Sequence, residues 1–153
     1  MRWINLPRMR IVVAALVLAW LATLSCYDIR QRRLPNALTL PGAAAILLAA
    51  HVADRGGPAL AGSVALAGLY LLVHLVAPAG MGAGDVKLAI GLGGLAGCFG
   101  AAVWFLAALA APLLTALVGT AATMRGGHTV PHGPSMCLAT AGAAGVALLG
   151  LPA

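Results

Sequence analysis

Apolar residues run through this chain in blocks too long and too continuous for the alternation of surface and core in a water-soluble fold. Residues 11–26, 37–52, 59–76, 101–119 and 135–150 contain no Asp, Glu, Lys or Arg, and a further block opens near Val86 and turns at 97–100. A bilayer crossing takes roughly 20 predominantly apolar residues, so these blocks predict six helices lying across a membrane. The stretch 86–119 barely holds two such helices, which makes the fourth one short or little tilted. Gly93 and Gly97 form a GxxxG pair within it, a spacing that lets a neighbouring helix approach closely.

Helix-breaking segments separate the blocks. Residues 28–36 carry Arg30, Arg32, Arg33 and Pro35, and the proline opposes continuation of the first helix through them. Residues 54–58 are a short loop of Asp54, Arg55, two glycines and Pro58. Residues 120–134 hold Arg125, Gly126, Gly127, His128, Pro131, His132, Gly133 and Pro134. The first block follows Trp3 and three arginines, Arg2, Arg8 and Arg10, the pattern on which a signal peptide also begins. It has no convincing small-x-small cleavage site, so a retained first span is expected, with Trp20 and Tyr27 near its polar flanks.

Composition narrows the class. Of 153 residues, 62% are apolar and 8% charged, against about a quarter charged in a soluble domain; this is the composition of an all-α, polytopic membrane protein, expected to form a single transmembrane domain over 1–153. The net charge of +6 comes from nine basic residues scattered in short polar segments. Without a basic tract interleaved with aromatics, they point to topology and anionic headgroups, hence membrane lipid, and away from nucleic acid. With six spans the loops 28–36, 78–87 and 120–134 share one face. That face carries five basic residues and the other four; translation starting at Met9 would put the first set clearly in the cytoplasm. Cys26, Cys98 and Cys137 lie far apart in or beside apolar stretches and read as small buried hydrophobes. His128 and His132 have the spacing of a metal pair, but Pro131 breaks the helix that would align them, so neither metal nor cofactor is expected. His74 reads as a polar packing or interfacial residue.

The acids are where chemistry is expected. There are three, Asp28, Asp54 and Asp85, and carboxylates at the edge of hydrocarbon are costly enough to suggest function. Asp28 ends the first span and Asp85 begins the fourth, so both lie on one membrane face; Asp54, a solvated loop acid, lies on the other. Asp28 could also serve as a counter-charge for Arg32. Two carboxylates held close together share one proton and provide a general base and a general acid at once. Gly80, Gly82 and Gly84 allow a tight turn and a close backbone approach to an extended ligand. Lys87, two positions from Asp85, reads as a headgroup anchor. Taken alone, the pair is equally compatible with a proton relay.

Gly82, Ala83, Gly84 and Asp85, followed by Val86, Lys87 and Leu88, resemble the GxGD motif of the type IV prepilin peptidases, a family of membrane aspartyl proteases. Asp28, with Pro35 and Asn36 seven and eight residues on, resembles the family's other aspartate motif, and Pro131, His132, Gly133 and Pro134 resemble the proline-rich segment before its last helix. The resemblance implies a six-helix bundle of the GxGD aspartyl protease type in a prokaryotic cytoplasmic membrane. It further implies that Asp28 and Asp85 activate water at the cytoplasmic face to cleave the short basic leader of type IV pilin-like precursors. Pro35, Asn36, Gly82, Gly84, Lys87, Pro131, Gly133 and Pro134 would support the site, and the arginines after Asp28 would serve topology and lipid. A preceding domain with paired CxxC motifs, associated in the family with methylation, is not expected; the chain resembles the short peptidases of tight-adherence or Flp-type pilus systems. The alternatives are a small proton-coupled transporter and a catalytically inactive pilus-assembly subunit.

Overall fold

The computed structural model describes residues 7–126 and 130–150. The expectations attached to Arg2, Trp3, Gly127 and His128 concern positions outside them. Six helices follow one another: α1 (Pro7–Gln31), α2 (Asn36–Val52), α3 (Gly56–Val76), α4 (Ala83–Gly97), α5 (Ala101–Met124) and α6 (Gly133–Leu148). Among the described residues there is no strand.

Some breakers end helices where the sequence leads one to expect, but Gly56, Gly57 and Pro58, expected in a loop, form the first turn of α3, where proline is tolerated, and α5 runs past the expected end at 119 to Met124. Helix α1 stops at Gln31, where Arg32 turns the chain with a left-handed φ of 50° and donates its N–H to the Asp28 carbonyl at 2.9 Å, an ending more often given to glycine. Pro35, in extended conformation, is the N-cap of α2.

The helices fall into two length classes. Helices α1, α3 and α5 have 25, 21 and 24 residues and are long and apolar enough to cross a membrane. Helices α2 and α6 are apolar but have 17 and 16 residues, and α4 has 15. At a rise of 1.5 Å per residue α4 is about 22 Å long, less than a hydrocarbon core of about 30 Å. Six full-length spans are therefore not what forms. Helix α4 sits at the centre of the bundle, against α2, α3, α5 and α6, with Leu88, Ala89, Gly91, Leu92, Gly93, Gly94 and Ala96 all buried. Protein surrounds it rather than lipid, so its length is matched to its neighbours.

Small residues make that centre possible. Gly62 of α3 lies against Gly93 and Gly97 of α4 so closely that a Cβ on Gly62 would come within 3.0 Å of the Gly97 Cα. The GxxxG pair thus packs within one chain. Ser63 donates to the Ile90 carbonyl at 2.6 Å and Trp104 of α5 to the Gly62 carbonyl at 3.0 Å, tying the same helices together. Trp20, expected near a polar flank, instead lies half-buried with its ring against Gly42 and Gly91, and its indole N–H donates to the Leu38 carbonyl at 2.9 Å. A buried indole takes a partner for its N–H, and two glycines leave room for its ring. The outer faces of the long helices expose Ile11, Leu16, Leu72, Leu75, Leu109 and Leu113, apolar surface suited to lipid chains rather than water.

Candidate active site

Antiparallel succession brings the C-terminal end of α1 and the N-terminal ends of α4 and α6 to one end of the bundle. Asp28 is in the last turn of α1 and is buried; the Gly133 N–H, at the start of α6, donates to its Oδ2 at 3.0 Å. Arg32 is near enough to act on the Asp28 carboxylate electrostatically. Asp85 is in the first turn of α4 and is buried at the edge of the core. Its Oδ2 reaches back to accept the Gly82 N–H at 3.2 Å, one half of a capping box, in a position where the helix dipole favours negative charge.

The two carboxylates border one open cleft of about 320 Å³, lined by Asp28, Arg32, Arg33, Leu34, Gly82, Ala83, Gly84, Asp85 and Lys87. They act on each other electrostatically. Asp54 is exposed in the α2–α3 loop at the opposite end, where its neighbour Arg55 donates to the Cys98 carbonyl at 2.9 Å. The structure thus brings together the two acids that the span count put on one face, and keeps the third apart.

The supporting residues take definite places. Gly82, the N-cap of α4, has extended backbone with φ −76° and ψ 149°. At Gly84 an added Cβ would meet the Leu34 Cβ at 3.3 Å, so the chain between α1 and α2 packs on the glycine motif. Lys87 does more than anchor to headgroups, since its Nζ donates to the Asn36 Oδ1 at 2.9 Å, linking α4 to the first residue of α2 beside the cleft. Arg32 and Arg33, assigned to topology and lipid, also line it. Gly133 is buried against Asp28, and only glycine fits there: a Cβ would lie 2.6 Å from the Asp28 Oδ2. Pro134 stands at the start of α6, where its missing N–H costs nothing, and Pro131 precedes it, half-buried. Of the cysteines Cys137 is buried, Cys98 partly so and Cys26 exposed, so Cys26 departs from the expectation of three buried hydrophobes. His74 holds the loop before α4, its Nδ1 lying 2.7 Å from the Met81 carbonyl oxygen, and so donating to it. Among the described residues no three His, Cys, Asp or Glu side chains gather into a metal-holding group.

The sequence reading missed three residues, Tyr70, Thr115 and His132. His132, the N-cap of α6, lies with Nε2 3.0 Å from the Tyr70 hydroxyl of α3 and Nδ1 2.6 Å from the Thr115 hydroxyl of α5. Spacing along the chain could not reveal this, because the partners lie 62 and 17 residues away. The signal that existed was a histidine between the prolines before a buried helix start.

Burial holds the His132 imidazole below the ordinary histidine range. A base so depressed contributes stability above its ordinary range, where neither the folded nor the unfolded chain is charged. That contribution is lost as pH falls through the ordinary range towards the depressed value, because there only the unfolded chain takes up the proton. The groups around the ring are Tyr70 and Thr115, with Asp28 on the adjoining Gly133 N–H. Between about pH 7.5 and about pH 5 the melting temperature of the protein in detergent is therefore expected to fall relative to that of His132→Gln, which cannot titrate. An equal change with pH in both proteins would refute a role for His132 in it.

Comparison with known proteins bears on residues 15–120, which match the model of the type IV leader peptidase family. No curated protein and no solved structure matches the chain.

Proposed function

The chain belongs to the type IV leader peptidase family, and from that premise we propose that Asp28 and Asp85 are its catalytic pair. The protein is a multi-pass inner-membrane aspartic endopeptidase acting on pilin-like leader peptides. The observation that supports the pair is that two buried carboxylates, from α1 and α4, border one open cleft.

The reaction divides between them. One carboxylate takes a proton from water as the oxygen bonds to the scissile carbonyl carbon, and the protonated partner donates to the carbonyl oxygen. The resulting diol collapses, the C–N bond breaks, and a proton goes to the departing amine. The pair ends with one shared proton, as it began, and its titration belongs to both groups together. Each acid has one oxygen held by a glycine N–H, at 3.0 Å from Gly133 and 3.2 Å from Gly82, which fixes the carboxylates before substrate arrives. In this reading the cleft opens at the cytoplasmic face, which the cluster Arg30, Arg32 and Arg33 beside it supports.

The test is co-expression with a pilin-like precursor in membranes, reading the new amino terminus by mass spectrometry with and without a protonophore. Cleavage that persists when the proton gradient is collapsed supports the peptidase reading. Absence of cleavage together with gradient-driven flux that depends on the two aspartates would overturn it in favour of transport.

A further inference from the structure

The Asp28 carboxylate is held by a backbone N–H that belongs to a different helix, so the position of that helix start is part of the site. Gly133 has no side chain of its own to fix it, and its neighbour His132 makes side-chain bonds to two other helices. The Thr115 hydroxyl has a single proton, and it lies 3.1 Å from the Ala111 carbonyl one turn back. With that proton given to Ala111, Thr115 accepts from the His132 Nδ1–H at 2.6 Å, and Nε2 accepts the Tyr70 hydroxyl at 3.0 Å. The chain Tyr70, His132, Thr115, Ala111 then runs in one direction, with every donor used once. It crosses from α3 to α6 to α5, and the next residue along the backbone donates to Asp28.

We infer that Thr115 and Tyr70 are positioning residues for the peptidase reaction: by bracing the His132 ring from two helices they hold the Gly133 N–H on Asp28 Oδ2. The inference rests on Asp28 and Asp85 being the catalytic pair. Neither Thr115 nor Tyr70 lines the cleft, so neither need touch substrate to matter. Tyr70 is buried and within electrostatic reach of Asp85, which makes the brace a link between the surroundings of both acids. A loose α6 start would leave a carboxylate free to turn away from the geometry that general base catalysis requires.

The test uses the purified full chain in detergent with a purified pilin-like precursor, comparing Thr115→Val, Thr115→Ser and Tyr70→Phe, with Asp28→Asn and Asp85→Asn as controls. Thr115→Val keeps the shape and removes the hydroxyl. It is expected to lower kcat by about tenfold, the rate equivalent of roughly one hydrogen bond, with KM unchanged, and Thr115→Ser should restore kcat. Tyr70→Phe should lower kcat in the same way. A residue that served only folding would change the melting temperature and leave kcat of the folded fraction intact. Wild-type kcat in folded Thr115→Val, or in Tyr70→Phe should the valine variant fail to fold, overturns the brace. Normal cleavage by an aspartate control would instead overturn the catalytic pair, so the two failures are distinguishable.

Discussion

Replacing either Asp28 or Asp85 by asparagine is expected to reduce precursor cleavage by at least about a thousandfold, within the range that a positioned general acid or base supplies. Asparagine has nearly the same shape, and its side-chain oxygen can still accept the Gly133 or Gly82 N–H that the aspartate accepts. What it cannot do is take a proton from water or give one back. The stability of these variants should move the other way, because both acids are buried and act on each other electrostatically. Removing one charge relieves the cost of desolvating it and any repulsion from its partner. Both single variants are therefore expected to melt no lower than wild type, measured by the loss of the folded signal in detergent. Low activity accompanied by a large drop in melting temperature would point to a structural role.

The second large effect is on the fold. Gly93→Ala adds a Cβ that would overlap the Gly62 carbonyl oxygen and lie 2.8 Å from the Leu66 Cβ. A carbonyl fixed in the α3 backbone cannot swing aside as a side chain end can, so the helices must separate. Overpacking of this kind costs about 1–3 kcal/mol, and here it strikes the most closely packed pair in a bundle whose central helix carries Asp85. The expected result is a clearly lowered melting temperature with cleavage reduced as α4 shifts. Gly119→Ala is the control: nothing lies within 4 Å of its added Cβ, and alanine favours helix over glycine by about 1 kcal/mol. If the two variants melt alike, α3 and α4 do not approach at Gly62 and Gly93.

The sequence made the two acids legible because acids are so few and because counting helices gives each end a face. Pro35 and the glycines around 82 marked helix limits with local backbone chemistry, whereas Gly56, Gly57 and Pro58 read as a loop and instead open α3, because proline costs no hydrogen bond in a helix's first turn. The inward direction of Trp20 was not legible. On a membrane helix the lipid face is as apolar as the core face, so the periodicity that would orient α1 in water carries little information; Leu24 is fully buried and Ile11 exposed without any difference of residue class. The length of α4 was half legible: crowding along the chain implied a short helix, but only the surrounding helices explain why 15 residues suffice. Lys87 and His132 were assigned to lipid and to a broken metal pair because each was weighed against its sequence neighbours. Their actual partners, Asn36, Tyr70 and Thr115, come from other helices.

The central claim is that two carboxylates on one cleft perform the hydrolysis. It is tested most directly by single-turnover digestion of a purified pilin-like precursor by the purified protein, with wild type, Asp28→Asn and Asp85→Asn at equal folded concentration and both fragments weighed by mass spectrometry. The account predicts a leader and a mature fragment from wild type and intact precursor from each variant. Cleavage at the same bond by either asparagine variant at a rate near that of wild type would contradict it.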